Sequence, residues 1–350
     1  MESLIKDLIR ELEKQKEGII KKVSLDSGIG QKNLNMEFED SLLALKGLSI
    51  QSKKLLKDKK VFVPDYKKRA IITKIPKGKV LLILPSTTPI LSCILIPLCA
   101  AFSGNMVVAK PSSKSKSIAL FLSNFYKTKK IKNIKFKIGS GKEFLYNILH
   151  DNYDFIFFMG SEENGMEIQT YCNKNKIEYS GEYGGNDWAI VFDGNLEEIT
   201  DKIAKNVMFK EGKDCDSIKG VLVNNKFFNR FLITLKNKLR DIKINENPSH
   251  SDITKPGFCS SLWIKKFISE QDILNLYKKN NHGLSVAIFR KDTKKALKLA
   301  RKINIARVIM NSDTLDIHPL IPWGGIKSTS YGGVEYWVTK FTNKKLIEFS

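Results

Sequence analysis

The chain has 350 residues, 42% hydrophobic and 27% charged, an ordinary globular mixture that is long enough for two domains. Its formal net charge is +22, a balance that can indicate a nucleic-acid partner or an anionic membrane. The lysines are spread along the chain without aromatic-interleaved clusters, so a solvated lysine-rich surface is favoured over an anionic ligand, and a nucleic-acid partner is disfavoured.

Helices are predicted at the N-terminus, followed by two strands. Residues 1–58 alternate apolar and charged positions at helical spacing, as in "LIKDLIRELEKQKEGIIKKV", which is typical of helices that pack on a larger body. The stretch "KKRAIITKIPKGKVLLILP" favours a strand, a Pro-Lys-Gly turn and a buried strand. The first 22 residues contain no apolar signal core, so we expect a cytoplasmic protein.

The apolar run at 80–102 has the length of a membrane span. It carries Pro85, Pro89 and Pro97 and a Ser-Thr-Thr cluster, so a buried strand, a loop and a helix ending at Gly104 explain it better, and no membrane partner is expected. Further strands are predicted at "MVVAKPS", "IKFKIGSG" and "YDFIFFMGS", with an amphipathic helix at "SIALFLSNFYKTKK". This alternation predicts an α/β fold, with a Rossmann-like, doubly wound parallel sheet.

The α/β pattern restarts in the second half of the chain. Strands are predicted at "WAIVF", "IKGVLV", "SSLWIKKF", "LSVAIF" and "ARVIMN", with helices between most of them. The polar stretch 243–256 carries no predicted element. We therefore expect a first domain over 1–182 that includes the N-terminal helices, a second α/β domain over 183–318, and a segment over 319–350 that returns to the first domain.

The five cysteines, at 93, 99, 172, 215 and 259, form no CxxC pair and no metal-ligand spacing. Their number is odd, so we expect reduced thiols and no metal site. Cys93 and Cys99 lie in apolar surroundings that favour core packing. Cys215 lies in a charged loop before a run of β-forming residues, in "VMFKEGKDCDSIKGVLV", so both a nucleophile and a partly buried structural thiol are open interpretations.

Seven short segments stand out along the chain: "ILPSTTP", "GNMVVAKPS", "FFMGSEENG", "GEYGGNDWAIVFD", "MFKEGKDCDSIKGVLV", "NNHGLSVAIF" and "IPWGGIKS". Together they resemble the aldehyde dehydrogenase superfamily, and they occur in that family's order. The resemblance extends from about residue 68 to 340, in a chain much shorter than a typical member. It implies a dinucleotide-binding first domain and a catalytic second domain, with the substrate entering between them.

The resemblance implies the catalytic residues. Cys215 matches the family's nucleophile, whose thiolate would attack an aldehyde carbon to give a thiohemiacetal; hydride would leave to the nicotinamide, and the thioester would be hydrolysed. Its flanks are polar and of mixed charge, as an accessible loop requires. Glu182 precedes Cys215 by 33 residues and matches the general base that activates the thiol or the hydrolytic water.

The resemblance also implies residues that bind NAD or NADP. Lys110 matches the lysine that contacts the cofactor ribose, because an ammonium offers three donors. The glycine-serine turn beneath the pyrophosphate would place free N–H groups at a helix start. The implied cofactor-binding residues are Lys110, Ser112, Ser113, Gly160, Ser161, Gly165, Gly184 and Phe258.

Three positions depart from the family pattern. Thr87 stands where an asparagine usually helps to hold the oxyanion, and the loss of a good donor costs about 3 kcal/mol, roughly a hundredfold in rate. Pro256 or a neighbour replaces a glutamate that grips the nicotinamide ribose, although Phe258 can keep the aromatic contact. Ser113, with Lys114 nearby, replaces an acid that repels a 2′-phosphate, so NADP is a candidate cofactor alongside NAD.

These matches and departures leave several functions open. A working dehydrogenase for an aldehyde is favoured, and a catalytically impaired homologue with a scaffold role or a CoA-linked acyl reductase are the alternatives. The strand near 69–76 and the C-terminal "KKLIEF" resemble the family's oligomerisation strands, so a homo-oligomer is expected. Both strands can equally lie in one sheet of a monomer.

Overall fold

The computed structural model describes residues 2–66, 68–254, 261–318, 321, 323–329, 331–332 and 334–349. The chain divides into two compact units. The first unit comprises Met1–Gly181, Pro319–Pro322 and Gly332–Ser350, and the second comprises Glu182–His318 and Trp323–Tyr331.

The elements follow one another as α and β segments throughout the chain. The helices are α1 (Glu2–Lys14), α2 (Lys16–Ser27), α3 (Gln31–Leu55), α4 (Pro89–Phe102), α5 (Lys116–Thr128), α6 (Lys142–Leu149), α7 (Glu162–Lys174), α8 (Leu196–Met208), α9 (Phe228–Lys238), α10 (His250–Thr254), α11 (Glu270–Tyr277), α12 (Thr293–Ala300) and α13 (Val334–Lys340). The strands are β1 (Lys59–Val63), β2 (Lys68–Pro76), β3 (Lys79–Ile83), β4 (Met106–Lys110), β5 (Ile134–Phe136), β6 (Phe155–Met159), β7 (Glu178–Glu182), β8 (Asp187–Val191), β9 (Ile218–Asn224), β10 (Lys243–Asn245), β11 (Ser261–Phe267), β12 (His282–Gly283), β13 (Ser285–Phe289), β14 (Arg307–Met310), β15 (Trp323–Gly324), β16 (Ile326–Lys327), β17 (Tyr331–Gly332) and β18 (Thr342–Phe349).

The first unit contains the predicted N-terminal helices and a sheet in the order β5-β4-β3-β6-β7. Strand β3 pairs in parallel with both β4 and β6, and its central residues are buried. Helix α1 buries Ile5, Leu8 and Leu12, the helical spacing that the sequence displays. The prediction of helices in 1–58 and of a parallel sheet after them is confirmed.

The apolar run at 80–102 folds as β3, a loop and the buried helix α4, as predicted. Helix α4 begins with Pro89, where a proline costs no hydrogen bond. The next two backbone N–H groups, of Ile90 and Leu91, donate to Oε1 of the buried Glu37 at 2.8 and 3.0 Å. No helix among the described residues has the length and apolarity needed to cross a membrane.

A separate antiparallel sheet of the first unit has the order β1-β2-β18. The C-terminal strand β18 lies beside β2 with Leu346 opposite Ile72. The two strands that resemble oligomerisation strands therefore share one sheet of a single chain. Strand β18 is almost wholly exposed.

The second unit is built on a sheet in the order β10-β11-β9-β8-β13-β14, and every pairing in it is parallel. Alternate residues of β8 belong to two hydrophobic cores, one on each face of this sheet. Ala189 and Val191 pack with α8 and α9, whereas Trp188 and Ile190 pack with α11 and α12. Burial on both faces explains the continuous apolar strands.

The polar stretch 243–256 contains β10 and α10, which the sequence did not predict. Among the described strands, β10 pairs only with β11 and stands at the edge of the sheet. An edge strand needs backbone hydrogen bonds on one side alone and tolerates polar side chains, so its residues give no apolar pattern to detect.

Candidate active site

The candidate site lies where the parallel strands of the second unit begin. Asp187, Ser285 and Arg307 are the first residues of β8, β13 and β14, and Cys215 precedes β9 by three positions. Asp187 pairs in register with Ile218. Because parallel strands start at the same edge of a sheet, residues remote in the sequence meet there.

The segment that carries Glu182 packs against the Cys215 loop. A Cβ atom at Gly185 would lie 2.4 Å from the Cys215 carbonyl oxygen, so only glycine allows this approach. Gly184 is half-buried beside it, and Glu182 ends β7 with its side chain buried. The close approach explains Gly185, the last glycine of "GEYGG", in terms of backbone packing.

The loop before Cys215 has a left-handed backbone. Lys210 and Glu211 have φ of 46° and 57°, and Gly212 follows with φ of 68°. Such conformations cost side-chain-bearing residues about 1–3 kcal/mol each and persist only where the surroundings impose them. Here the buried Lys210 forms an ion pair with Asp214 at 3.2 Å, and the buried Lys219 donates to the Gly212 carbonyl.

The thiol of Cys215 lies between two carboxylates. Its Sγ is 3.3 Å from Oδ2 of Asp216 and 3.7 Å from Oδ1 of Asp214. Burial, followed by the charges of Asp216 and Asp214, raises the pKa of the thiol well above its usual value. The expectation of accessible, solvated flanks is wrong, because both aspartates are buried.

Asp216 is the most connected residue of this group. Its Oδ1 accepts hydrogen bonds from Arg307 at 3.3 Å and from Ser285 at 3.1 Å, and its carbonyl accepts one from Thr314. Burial raises the pKa of Asp216 to about 6, although Arg307 acts in the opposite direction. Asp187, which the Ser285 hydroxyl also contacts, has a pKa raised well above its usual value by burial and by the charge of Asp216.

The same loop offers three potential metal-ligand atoms, from Asp214, Cys215 and Asp216, within 4.8 Å of one another. Lys210 and Arg307 already form ion pairs with the two carboxylates, at 3.2 and 3.3 Å. The charges of the two carboxylates are therefore balanced by the protein's own cations.

The predicted cofactor-binding residues of the first unit lie at the ends of its strands. Lys110 is the last residue of β4 and is half-buried, which lowers its pKa through desolvation. Its ammonium has no hydrogen-bonding partner among the described residues. Ser112 accepts a hydrogen bond from the Lys114 N–H at 3.2 Å, and Ser113 is exposed.

The glycine-serine turn forms the start of α7. Ser161 is the N-cap, and its hydroxyl accepts the Asn164 N–H at 3.4 Å, while Gly165 is buried within the helix. Gly160 directly precedes the cap, where a Cβ atom would meet the Phe158 ring at 2.8 Å. Thr87 lies in the loop between β3 and α4. Phe258 lies outside the described residues.

The fold and the sequence both identify the class of protein. The model of the aldehyde dehydrogenase family matches residues 2–256 and 248–347. The chain therefore belongs to the aldehyde dehydrogenase family, oxidoreductases that oxidise aldehydes with NAD or NADP. The predicted superfamily, fold class, enzyme class and cofactors are confirmed at this level.

Two named relatives are similar to this chain over most of its length. The lactaldehyde dehydrogenase of Methanococcus vannielii is 24% identical over 408 aligned positions, which cover 99% of this chain and 86% of that one. The 3-sulfolactaldehyde dehydrogenase of Priestia megaterium is 24% identical over 340 positions, covering 79% and 70%. The first alignment is longer than the chain itself, so this chain carries deletions relative to that relative.

Solved structures share the fold. A betaine aldehyde dehydrogenase of Staphylococcus aureus in complex with NAD+ superposes with a TM-score of 0.90 at 20% identity, covering 99% of this chain and 84% of that one. An NADP-dependent glyceraldehyde-3-phosphate dehydrogenase of Bacillus halodurans gives 0.89 at 18% identity, covering 99% and 86%. At these identities the likeness concerns the fold alone.

Sequence analysis missed the polar residues that surround Cys215. Asp187, Ser285 and Arg307 each open a strand, a position where a polar residue ordinarily marks a boundary. Asp216 directly follows the cysteine in the sequence, and this adjacency could have identified it as a residue near the thiol. The burial of Asp216 depends on packing against β8, β13 and β14, which the sequence around residue 216 does not reveal.

Proposed function

We propose that this chain oxidises an aldehyde with NAD or NADP through a covalent intermediate on Cys215. The observation that carries the proposal is the position of Cys215, in a strained loop at the strand starts of the second unit, against the glycine of the segment that bears Glu182. Strain of this kind clusters at functional sites.

The proposed chemistry uses the thiol and one carboxylate. The Cys215 sulfur adds to the aldehyde carbon, and collapse of the thiohemiacetal leaves a thioester on the same sulfur. Glu182 then removes a proton from the water that cleaves this thioester. Bound NAD or NADP supplies the hydride acceptor. Thr87 is the proposed side-chain donor to the oxyanion, a weaker one than an amide.

The cofactor-binding residues fit a dinucleotide. The half-buried Lys110 ammonium is desolvated, has no partner among the described residues, and can donate to ribose hydroxyls. The N-terminus of α7, capped by Ser161, can bind a pyrophosphate because its free N–H groups and the helix dipole favour an anion. No acid that would repel a 2′-phosphate stands at positions 113, 114 or 116, which are Ser113, Lys114 and Lys116. NADP therefore stays a candidate cofactor.

The relatives suggest where the search for a substrate should begin. Two of them are named for lactaldehyde and 3-sulfolactaldehyde, which are short aldehydes with a hydroxyl beside the carbonyl. We propose a short aldehyde of this kind as the first substrate class.

One observation favours the catalytically impaired homologue as a second candidate. Burial and two neighbouring aspartates raise the pKa of Cys215, whereas cysteine nucleophiles ordinarily lie in electropositive surroundings that lower it. In that case the chain would retain the fold without turnover.

The test is turnover of an aldehyde panel with NAD and with NADP, and of acyl-CoA thioesters in the reverse direction. We expect reduced cofactor to form with at least one short aldehyde and the Cys215→Ser variant to lose this activity while folding normally. An unchanged rate in Cys215→Ser, or no turnover by the unaltered chain, would contradict the proposal. A strong preference for NAD would count against NADP.

Two further predictions concern the whole molecule in the cell. The exposed outer edge of β18 is available for pairing with a second copy, so we propose a dimer or tetramer. Light scattering of the purified chain tests this, and the mass of a monomer at micromolar concentration would contradict it. A cytoplasmic location stays a prediction that fractionation of the source cells can test.

A further inference from the structure

The nearest hydrogen-bond acceptor to the Cys215 thiol is the Asp216 carboxylate. Oδ2 of Asp216 lies 3.3 Å from Sγ, within the range for a bond that involves sulfur. The other oxygen, Oδ1, is held by Arg307 and Ser285. Asp216 therefore presents one oxygen to the thiol while the rest of its side chain is fixed and buried.

Asp214 is less suited to accept the proton. Its Oδ1 lies farther from Sγ, at 3.7 Å, and also accepts the Asp216 N–H at 3.3 Å. Its Oδ2 is paired with Lys210. Both oxygens of Asp214 are thus occupied by other donors, which makes this residue a natural control.

A single Ser285 hydroxyl connects Asp216 to a second buried carboxyl. Oγ of Ser285 lies within hydrogen-bond distance of both Asp187 and Asp216, but a hydroxyl has only one proton to donate. Both contacts are satisfied if Asp187 is protonated and donates to Ser285, which in turn donates to Asp216. The Arg307 ion pair places the negative charge on Asp216.

We propose that Asp216 is the catalytic residue that accepts the Cys215 proton, with Asp187 held protonated behind Ser285. The inference rests on the proposed role of Cys215 as nucleophile. The S–H proton passes to Oδ2 of Asp216 as sulfur bonds to the aldehyde carbon, and the electron pair of the C=O bond moves to oxygen. Asp216 keeps the proton while the alkoxide collapses.

This arrangement reconciles the thiol's surroundings with catalysis. Burial and two neighbouring acids raise the pKa of Cys215, so a resting thiolate is disfavoured. A base in contact with the thiol removes the need for one, because the proton leaves only as the bond to carbon forms. The pKa of Asp216, about 6, leaves it ionised at neutral pH and makes it a stronger base than an exposed aspartate.

Titratable and charged groups from several elements lie around Asp216. Arg307 of β14 favours the ionised form, whereas Asp214 of the same loop opposes it. Asp187 of β8, held protonated, adds no charge beside Asp216. Tyr277 of α11 is a buried phenol influenced by Asp187. Lys210 and Lys219 face Asp214 and the Gly212 carbonyl, respectively.

The test measures alkylation of Cys215 by iodoacetamide against pH in the full chain, followed by mass spectrometry of the peptide that contains it. We expect the rate of the unaltered chain to rise through an ionisation near pH 6. Asp216→Asn should lose this step and label about 100-fold more slowly at pH 7, the lower range for a positioned base, whereas Asp214→Asn should retain the step. Faster labelling of both variants would overturn the proposal, since the carboxylates would then only repel the thiolate.

Ser285→Ala provides a second variant if Asp216→Asn does not fold. It leaves Asp216 and Arg307 in place but removes a hydrogen bond that favours the ionised carboxylate. The labelling step should therefore move to higher pH. A step at the same pH as in the unaltered chain would show that it does not belong to Asp216.

The labelling assay requires neither aldehyde nor cofactor, so it separates this inference from the proposed function. A step that depends on Asp216, in a chain that turns over no aldehyde, would leave the proton acceptor in place and remove the function. Turnover that requires Cys215 but is unchanged by Asp216→Asn would support the proposed function and rule out Asp216 as the proton acceptor.

Discussion

Asp187 is an acid at the first position of a buried strand, where an ionised carboxylate is costly. It accepts the Ser285 N–H at 3.0 Å and contacts the Ser285 hydroxyl, and it has no ion-pair partner among the described residues. A protonated carboxyl satisfies these contacts without a buried charge. The surrounding residues thus favour a proton on Asp187 in the folded chain.

Asp187→Asn should therefore stabilise the protein increasingly as pH rises. An acid whose pKa is raised on folding binds more protons when folded than when unfolded, so its contribution to the free energy of unfolding falls as pH increases above about 4. We therefore expect the gain in the free energy of unfolding to be larger at pH 8 than at pH 5. Urea unfolding at pH 5 and pH 8 measures it.

The exposed Asp241 gives the matched control. Asp241→Asn should leave the free energy of unfolding within about 0.5 kcal/mol of the unaltered chain at both pH values, as surface substitutions generally do. If Asp187→Asn were destabilising at pH 8, Asp187 would be ionised in the folded state, and the proposed proton on its carboxyl would be ruled out.

At the scale of the element, the turn Phe209–Gly212 stores strain and is separated by two residues from Cys215, the proposed nucleophile. Glu211 has φ of 57°, and its side chain is exposed and forms only a surface ion pair with Lys213. Such pairs contribute little to stability. The left-handed conformation is therefore imposed by the buried contacts of the neighbouring residues.

Glu211→Gly should relieve part of this strain. Glycine adopts a positive φ without steric cost but loses more entropy on folding, so we expect a net gain of about 0.5–1 kcal/mol in the free energy of unfolding by urea. Lys213→Gly, at φ −89°, should lose a similar amount. An equal loss in both variants would indicate that Glu211 is unstrained.

The elements of the second unit show what the sequence can and cannot predict. The strands β8, β9, β11 and β13 were predicted because each carries a run of buried apolar residues at its centre. The short strand β10 was missed because an edge strand lacks that pattern. The contacts of Asp216 were missed for another reason: its partners Ser285 and Arg307 are separated from it by 69 and 91 positions in the sequence.

At the scale of the whole molecule, the fold was more predictable than the chemistry. Seven segments in order identified the family and predicted Cys215 as the nucleophile. The close approach of Gly185 to the Cys215 carbonyl gives a physical reason for a glycine in one of these segments, "GEYGGNDWAIVFD". The charge around the thiol was not predictable, because "GKDCDSIK" resembles a solvated loop. Burial, which depends on tertiary packing, is the main cause of the raised pKa of the Cys215 thiol, and the charges of the two acids add to it.

The proposed mechanism depends on Cys215 forming a covalent bond to the substrate carbon. The most direct measurement is mass spectrometry of the chain after rapid quenching of a single turnover with a short aldehyde and NAD or NADP. We predict an acyl adduct on the peptide that contains Cys215, present in the unaltered chain and absent from Cys215→Ser. Aldehyde oxidation without any adduct on Cys215 would contradict the mechanism.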